Sequence, residues 1–340
     1  MRNYLKAPVW LFELITTAKS FEGNPVIGSP IMNKLGLHVV RVVVSHAVMR
    51  ARMWMLSLPL SKQERQSYFN DGFIIKENFL SEAEFLALEQ EAKSFSGEVR
   101  EARQGDTLTH RAVLSPDILT SHPAIEKLLT NPHLKSLSRF TAGHLRAPLF
   151  YLENVKNKYV TGPTDPQKTL HSDTFHPTMK CWFFIDDVAE TAGPFNYVPQ
   201  SNRLSWKRTK WQYQMSLSAK NAKNPYHARG STRYTLDDLK QLGLPEPKAF
   251  AVKKNTLVIA NTFGIHRRGD SLEKSTRLAI WGDSRTNPFL PFPGLGGKFI
   301  NNLQYYFLDL YRKDTDKKAV ARGARPPWKV VEPDSKTNQD

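Results

Sequence analysis

Hydrophobic and aromatic residues recur in short runs through the second half of the chain. Five such runs follow Arg146, each bounded by Gly, Pro, Asn or Asp, and this pattern predicts β-strands. Their sequences are APLFYLENV, MKCWFFIDDV, GPFNYVP, KAFAVKKNTLVIAN and TRLAIWGDS. Short strands at this spacing indicate a sandwich or a barrel. We therefore expect a mainly β fold with flanking helices (α+β).

The first half of the chain predicts mostly helices. Residues 61–95, SKQERQSYFNDGFIIKENFLSEAEFLALEQEAKSF, predict a helix, a short strand over Gly72–Lys76 and a second helix. Ser81, with Glu84 three residues later, forms a capping box that marks the start of the second helix. Residues 105–145 predict helices and loops, and NNLQYYFLDLYRKD (301–314) predicts a terminal helix.

Residues 1–60 predict a basic amphipathic helical appendage. They contain seven Lys or Arg residues against two acidic ones, and the stretch 36–56 places His38, Arg41, Arg50 and Arg52 among valines and methionines. This pattern is typical of a helix at an anionic membrane surface. The alternative is a helix that packs on the main domain while its arginine side chains reach water.

We accordingly divide the chain into three parts. The appendage covers residues 1–60, the main domain covers 61–311, and a basic, mobile tail covers 312–340. Residues 201–236 contain eight Lys or Arg residues and no acidic residue. Because a stretch of this charge rarely forms a core, we expect it to be a basic lid or insert of the main domain, near the mouth of a site.

The cysteine count excludes some kinds of site, and the net charge suggests which partners the protein binds. The 340 residues include 48 Lys and Arg, 32 Asp and Glu, and one cysteine, Cys181. One cysteine excludes an intramolecular disulfide and a zinc site built on several thiolates, so we expect a reducing, cytoplasmic location. The net charge of +16 favours polyanionic partners such as anionic lipid, phosphorylated substrates or nucleic acid.

No segment predicts a signal peptide or a membrane span. Glu13 interrupts the first apolar run, and no small-residue cleavage site follows it. The apolar stretch 35–60 contains too many polar groups to cross a bilayer as a helix of about 20 residues. We expect at most a peripheral position on the inner face of a membrane, with residues 1–60 contacting an anionic surface.

Three residues have the chemistry of a metal site. In HSDTFH, His171 and Asp173 are two residues apart at the edge of a predicted strand, so both side chains point to the same face. His266 follows an apolar strand and a Gly-containing turn in NTLVIANTFGIHRRGDS. Two histidines and one carboxylate form the facial triad of non-heme Fe(II) oxygenases.

Arg277 follows His266 by eleven residues on the next predicted strand. Its guanidinium can form a bidentate pair with a carboxylate, as 2-oxoglutarate would require when its keto-acid end chelates iron. In the basic lid, Arg203, Lys207 and Arg208 are the expected substrate contacts, because cations there interleave with tryptophans.

Several of these motifs resemble the phytanoyl-CoA dioxygenase family of Fe(II)/2-oxoglutarate oxygenases. The motifs are DGFIIKENFLSEAEFLAL, HSD, AGPFNYVPQSNR and IHRRGDS followed by Arg277, and the resemblance covers about residues 69–285. It implies a double-stranded β-helix (jelly-roll or cupin-like) core, with His171, Asp173 and His266 as iron ligands and Arg277 as the anchor of 2-oxoglutarate. One departure is Asn202, where many relatives have His.

The resemblance also implies a reaction. Such enzymes use Fe(II), 2-oxoglutarate and O2 to hydroxylate a C–H bond, with decarboxylation of 2-oxoglutarate to succinate. Related halogenating enzymes have Gly or Ala in place of the carboxylate, so Asp173 favours hydroxylation. We expect an anionic small molecule or lipid as substrate, of the acyl-CoA or phosphorylated-lipid type. The alternative is a nucleic-acid-binding protein or a nucleic-acid-directed oxygenase.

Overall fold

The structure is a computed structural model, and it describes residues 6–332. The helices of this range are α1 (Ala7–Phe12), α2 (Pro30–Lys34), α3 (Leu37–Met55), α4 (Lys62–Asp71), α5 (Glu82–Lys93), α6 (Pro116–Leu119), α7 (Pro123–Thr130), α8 (Pro132–Ala142), α9 (Trp206–Ser218), α10 (Pro225–Ala228), α11 (Leu236–Leu242) and α12 (Lys298–Ala321). Its strands are β1 (Phe73–Lys76), β2 (Val99–Gln104), β3 (Thr107–Val113), β4 (Leu149–Asn157), β5 (Met179–Phe184), β6 (Phe195–Tyr197), β7 (Lys248–Ala249), β8 (Thr256–Asn261), β9 (His266–Arg268), β10 (Ser275–Ser284) and β11 (Lys329–Val331).

Two antiparallel sheets form the core of the fold. The large sheet has eight strands in the order β1-β8-β5-β10-β4-β3-β2-β11, and the small sheet has three in the order β7-β6-β9. Many neighbouring strands, such as β8, β5, β10 and β4, are not consecutive in sequence, as in a jelly roll. This arrangement confirms the predicted double-stranded β-helix core with flanking helices.

Successive side chains along each strand point to opposite faces of the large sheet. On β5, Cys181 and Phe183 belong to a cluster with helix residues such as Leu88 and Phe140. Trp182, between them, packs instead with residues of the small sheet. Helices therefore cover one face of the large sheet, while the other face lines the space between the two sheets.

The capping box at the start of α5 is present. The carboxylate of Glu84 accepts the backbone N–H of Ser81 (3.2 Å). All five predicted β runs contain strands of the structure. Residues 99–113, however, form the hairpin β2–β3, although 105–113 were predicted as helix or loop. The hairpin turns at Gly105, which has a φ of +60°.

Residues 6–60 pack against the rest of the molecule and do not form a separate appendage. Met49 and Met53 of α3 belong to the main hydrophobic cluster. His38, Arg41 and Arg52 are buried, which is the reverse of the orientation predicted for a basic amphipathic helix. Arg52 donates to the carbonyls of residues 143 and 287 (2.6 and 2.9 Å), so these cations face the protein and not a membrane.

The predicted tail from residue 312 contains regular secondary structure as far as residue 331. Helix α12 continues to Ala321, and β11 pairs with β2 at the edge of the large sheet. Trp328 stacks over the guanidinium of Arg111 (5.0 Å), and this contact holds the segment in place. Residues 333–340 of the predicted tail, like residues 1–5, lie outside the described part of the chain.

Across residues 6–332, no helix combines the length and the apolar character needed to span a bilayer.

Candidate metal centre

His171 and His266 lie on neighbouring segments that are bonded to each other. The backbone N–H of each residue donates to the carbonyl of the other (2.9 Å in both directions). The rings are consequently side by side, with their centroids 4.4 Å apart. His266 begins β9, whereas His171 forms only an isolated bridge and is not part of a regular strand.

A close approach of backbone to side chain shapes the turn before His266. A Cβ on Gly264 would lie 1.7 Å from the hydroxyl oxygen of Tyr197. Only glycine fits there. The carbonyl of Gly264 in turn contacts Nδ1 of His266 (2.9 Å), so this turn positions the imidazole directly.

Both imidazoles direct Nε2 into the same cavity. Nδ1 of His171 contacts the carbonyl of Thr169 (2.7 Å), as Nδ1 of His266 contacts the carbonyl of Gly264. A carbonyl only accepts, so each Nδ1 carries the proton and each Nε2 has a free lone pair. Neither Nε2 has a hydrogen-bond partner within residues 6–332. Two buried acceptors aimed at one point are suited to a metal ion.

Asp173 completes the set. Its Oδ1 lies 3.8 Å from Nε2 of His171 and 3.8 Å from Nε2 of His266. The three donor atoms lie within 4.8 Å of one another, and in the described part of the chain this is the group whose geometry fits a metal ion. The structure thus brings together the three residues that the sequence predicted as ligands.

Burial and neighbouring charges keep the three groups in the forms that bind metal. Burial lowers the pKa of His266 to about 4 and that of His171 well below its ordinary value. Burial alone would raise the pKa of Asp173, but Lys180 and other cations hold it well below its usual value. Nζ of Lys180 lies 2.7 Å from Oδ2 of Asp173. Neutral imidazoles and an ionised carboxylate are the states required of ligands.

Arg277 lines the same cavity as the two histidines. The cavity has a volume of about 570 Å³ and lies between the sheets. Nη1 of Arg277 donates to the carbonyl of Gly193 (3.1 Å), and no carboxylate of residues 6–332 forms an ion pair with it. Burial lowers its pKa to about 10, and the charge of Arg268 adds to this effect. The guanidinium is therefore buried, still charged near neutral pH and able to bind a carboxylate.

Charged residues other than the predicted site residues also line the cavity. Glu153 on β4 forms an ion pair with Arg111 (2.7 Å) and is held ionised despite its burial. The cationic lining residues are Arg111, Lys180, Arg267, Arg268, Arg277 and Arg285, against the acidic Glu153 and Asp283. The sequence contains a signal for Glu153. Tyr151, Glu153 and Val155 are each two residues apart on a predicted strand, so their side chains point to the same face of the sheet.

The three lid cations predicted to bind substrate do not line this cavity. Arg208 is buried and donates to the hydroxyl groups of Tyr234 (2.8 Å) and Ser172 (3.1 Å). Arg203 is exposed and donates to the carbonyl of residue 70 (2.9 Å), and Lys207 is exposed on α9. Arg208 therefore supports the backbone between His171 and Asp173, and this burial explains why it is not free to contact a substrate.

Asn202 has a structural contact as well. Its side-chain amide is buried and donates to the carbonyls of residues 68 and 69 (3.1 and 3.2 Å) at the end of α4. The position at which many relatives have His therefore connects the lid to a helix and does not point into the metal cavity.

Part of the chain is similar in sequence to known dioxygenases. The sequence profile described as phytanoyl-CoA dioxygenase (PhyH) matches residues 68–235. An ectoine dioxygenase from Bordetella bronchiseptica is 28% identical over 160 residues, which cover 42% of this chain and 50% of the relative. The chain thus spans about half the length of the curated relatives it matches.

Two solved structures match this chain at lower sequence identity. The carbocyclase SnoK from nogalamycin biosynthesis is 18% identical, with a TM-score of 0.42 over 66% of this chain and 83% of that chain. EctD from S. alaskensis with bound Fe is 14% identical, with a TM-score of 0.40 over 72% of this chain and 83% of that chain.

Proposed function

Because the chain belongs to a phytanoyl-CoA dioxygenase-like family, we propose that it is an Fe(II)- and 2-oxoglutarate-dependent dioxygenase that hydroxylates an anionic small molecule or lipid. The observation that carries this proposal is the group formed by His171, Asp173 and His266. Its two unpartnered Nε2 atoms and one carboxylate oxygen lie within 4.8 Å of one another. Two histidines and a carboxylate are the ligand set of non-heme Fe(II) oxygenases.

His171, Asp173 and His266 would hold the Fe(II) ion, which would supply the chemistry by which O2 hydroxylates a substrate C–H bond while 2-oxoglutarate is decarboxylated to succinate and CO2. Asp173 supports hydroxylation over halogenation because its carboxylate occupies the position that halogenating relatives leave open. The protonated Nδ1 atoms of both histidines fix the rings by bonds to backbone carbonyls, so the ligands are oriented before metal binds.

Arg277 is the proposed anchor of the distal carboxylate of 2-oxoglutarate. Its burial removes competing water, and a bidentate guanidinium–carboxylate pair is among the stronger polar contacts. Glu153 lies close enough to influence the charge of Arg277 but is ion-paired with Arg111. We infer that this pairing leaves Arg277 available for the co-substrate.

The charge of the cavity supports an anionic substrate. Six cationic residues line it against two acidic ones, which is an excess of four positive charges. Bound 2-oxoglutarate carries two negative charges, and the divalent metal more than offsets the charge of Asp173. A further anionic group on the substrate would balance the remainder.

We also propose that the protein is cytoplasmic and binds the inner face of a membrane through α1 and α3. The outward face of α3 is mostly apolar: Val40, Val43, Val44 and Trp54 are exposed, together with the cation Arg50. Phe12 of α1 is exposed as well. An apolar patch on the exposed face of a helix is typical of a docking face.

Succinate release tests the activity directly. Purified, iron-loaded protein is incubated with 2-oxoglutarate and O2 in the presence of acyl-CoAs, phosphorylated lipids or single-stranded nucleic acid. We expect Fe(II) to bind one per chain, slow uncoupled succinate release, and stimulation by an anionic lipid or acyl-CoA. Absence of stoichiometric Fe(II) binding would overturn the proposal, and stimulation by nucleic acid alone would replace the substrate class.

A further inference from the structure

The segment between α1 and α2 lies across the metal centre. Arg41 of α3 donates to the carbonyls of residues 14 and 18 (2.8 and 2.6 Å). On the opposite side, the N–H of Phe21 donates to the carbonyl of Ala228 in the basic lid (2.9 Å). Residues 13–24, which we call the strap, are thus held between α3 and the lid.

One contact brings the strap especially close to the lid. Gly230 has a φ of +79°, and a Cβ there would lie 2.2 Å from the carbonyl oxygen of Lys19. Only glycine allows this approach. The backbone of residue 19 is consequently fixed beside the lid, and its side chain enters the molecule.

The ammonium group of Lys19 reaches the metal centre. Its Nζ donates to the backbone carbonyl of Asp173. Lys19 interacts electrostatically with Asp173 and also with Lys180, Arg233 and Arg285. Four cations from the strap, β5, the lid and the residue after β10 therefore converge near one metal ligand.

These cations exceed the negative charge that faces them. Asp173 forms an ion pair with Lys180 (2.7 Å), and Asp283 lies 3.7 Å from Arg285. Nη1 of Arg233 is buried and has no hydrogen-bond partner within residues 6–332. Burial lowers the pKa of Lys19 to about 8, with the neighbouring cations contributing to the shift. An unpartnered buried donor within a surplus of positive charge is unfavourable unless an anion binds there.

We infer that Lys19, Lys180, Arg233 and Arg285 form a binding site for a phosphoryl group of the substrate. The inference rests on the proposed function for the identity of that substrate. A phosphoryl group suits the cluster better than a single carboxylate, because it carries up to two negative charges and three acceptor oxygens for donors that approach from four elements. Lys180 and Arg285 also line the cavity that contains His171 and His266, so a phosphoryl group held here lies beside the reacting centre.

Inorganic phosphate is the probe for this site. It is titrated calorimetrically into the full chain loaded with redox-inactive Zn(II) and 2-oxoglutarate, and acetate is titrated in parallel. Lys19→Met removes the charge while keeping much of the side-chain volume, and Lys19→Arg restores the charge. Lys34→Met is the matched control, because Lys34 is an exposed cation of the adjoining α2.

We expect Lys19→Met to weaken phosphate binding by about tenfold or more, as the loss of one charge-assisted contact implies. Lys19→Arg should recover most of the affinity, and Lys34→Met should match the wild type. Acetate should bind more weakly than phosphate to the wild type. The thermal midpoint of Lys19→Met should stay close to that of the wild type, which separates lost binding from a loosened strap.

The outcomes distinguish this inference from the proposed function. Equal phosphate affinity in wild type and Lys19→Met, with normal Zn(II) and 2-oxoglutarate binding, would overturn the phosphoryl site alone. Acetate binding as tight as phosphate would overturn the choice of a phosphoryl group. Failure of the wild type to bind Zn(II) or 2-oxoglutarate would overturn the proposed function, and phosphate titration of the metal-free protein would then still test the cation cluster.

Discussion

His171, Asp173 and His266 each provide one donor atom to the candidate metal centre, so each accounts for one of three protein bonds to the ion. We expect replacement of any one by Ala to reduce Fe(II) affinity by on the order of 100-fold or more and to abolish succinate release. Metal content after gel filtration measures the effect. His176→Gln is the control, since His176 is also buried but bonds to the carbonyl of Pro177. Normal iron content in a triad variant would remove that residue from the site.

Arg277→Ala should separate co-substrate binding from metal binding. Loss of a bidentate charged pair costs on the order of 1.5–3 kcal/mol, so the 2-oxoglutarate concentration for half-maximal succinate release should rise by about 10- to 100-fold. Fe(II) content should remain close to one per chain. Arg203→Ala, which removes an exposed cation outside the cavity, should leave both values unchanged. An unaltered requirement for 2-oxoglutarate in Arg277→Ala would place the anchor elsewhere.

The metal ligands could be predicted from sequence because their spacing and chemistry are local signals. The turn after a strand places His266, and two-residue spacing places His171 and Asp173 on one face. Lys180 and Lys19 could not be found in this way. Each reaches Asp173 through tertiary packing, and in sequence each is one lysine among many in a chain with a net charge of +16.

Helix α9 supports the metal centre through one buried side chain. The guanidinium of Arg208 bonds to Tyr234 and to Ser172, which lies between two metal ligands. Arg208→Met should lower the free energy of unfolding by about 2–3 kcal/mol, because the partners lose a buried donor. Denaturant unfolding measures the change, with the exposed neighbour Lys207→Met as control. A loss below about 0.5 kcal/mol would show that Arg208 contributes little to the lid.

The exposed apolar residues of α3 lead to a prediction about membrane binding. The double variant Val43→Ser, Val44→Ser should reduce vesicle binding by about tenfold, because apolar burial drives insertion. The effect should be similar on neutral and anionic vesicles, because the substitutions change no charge: Arg41 and Arg52 face the protein core, and the exposed Arg50 is retained. Co-sedimentation measures it, and Leu86→Ser on the exposed face of α5 is the control. Unchanged sedimentation, or a concentration-dependent dimer in place of vesicle binding, would contradict the membrane proposal.

Sequence patterns predicted the strands but not the orientation of α3. Strands β4, β5, β8 and β10 are rich in β-branched and aromatic residues, which favour strands and are buried in this fold. Helix α3 buries His38, Arg41 and Arg52 and exposes valines together with Arg50, and a hydrophobicity pattern alone assigns most of these residues the other way round. The hairpin β2–β3 was missed because charged side chains such as Arg100 and Arg111 alternate with small ones; Gly105-Asp106 at its centre was the available turn signal.

Buried histidines make the whole molecule sensitive to acid. Burial lowers the pKa of His38 to about 4 and those of His46, His144 and His176 to about 3. The unfolded chain takes up protons near pH 6.5 while the folded chain does not, so stability is full above that pH and falls as the pH decreases toward 4. Each histidine contributes a slope of up to about 1.4 kcal/mol per pH unit.

Denaturant unfolding between pH 7.5 and 5 checks this expectation. His46→Leu removes one such group, whose ring packs against Phe263 (4.3 Å between centroids). We expect the unfolding free energy of this variant to change less steeply with pH than that of the wild type. The difference in slope should correspond to about one bound proton. Equal slopes in the two proteins would show that His46 titrates normally in the folded state.

Strand β10 pairs with β4 over residues 275–283 and with β5 over residues 279–284, whereas β9 has three residues. Amides of a central, doubly paired strand exchange with solvent only when much of the sheet opens, and those of a short strand exchange through smaller fluctuations. Residues 279–283, which are paired on both sides, therefore belong to the slowest-exchanging part of the sheet. Arg277 lies just before them on the same strand, while His266 belongs to a part that opens more readily. Metal binding, by linking residues 171–173 to β9, should slow exchange there and leave β10 almost unchanged.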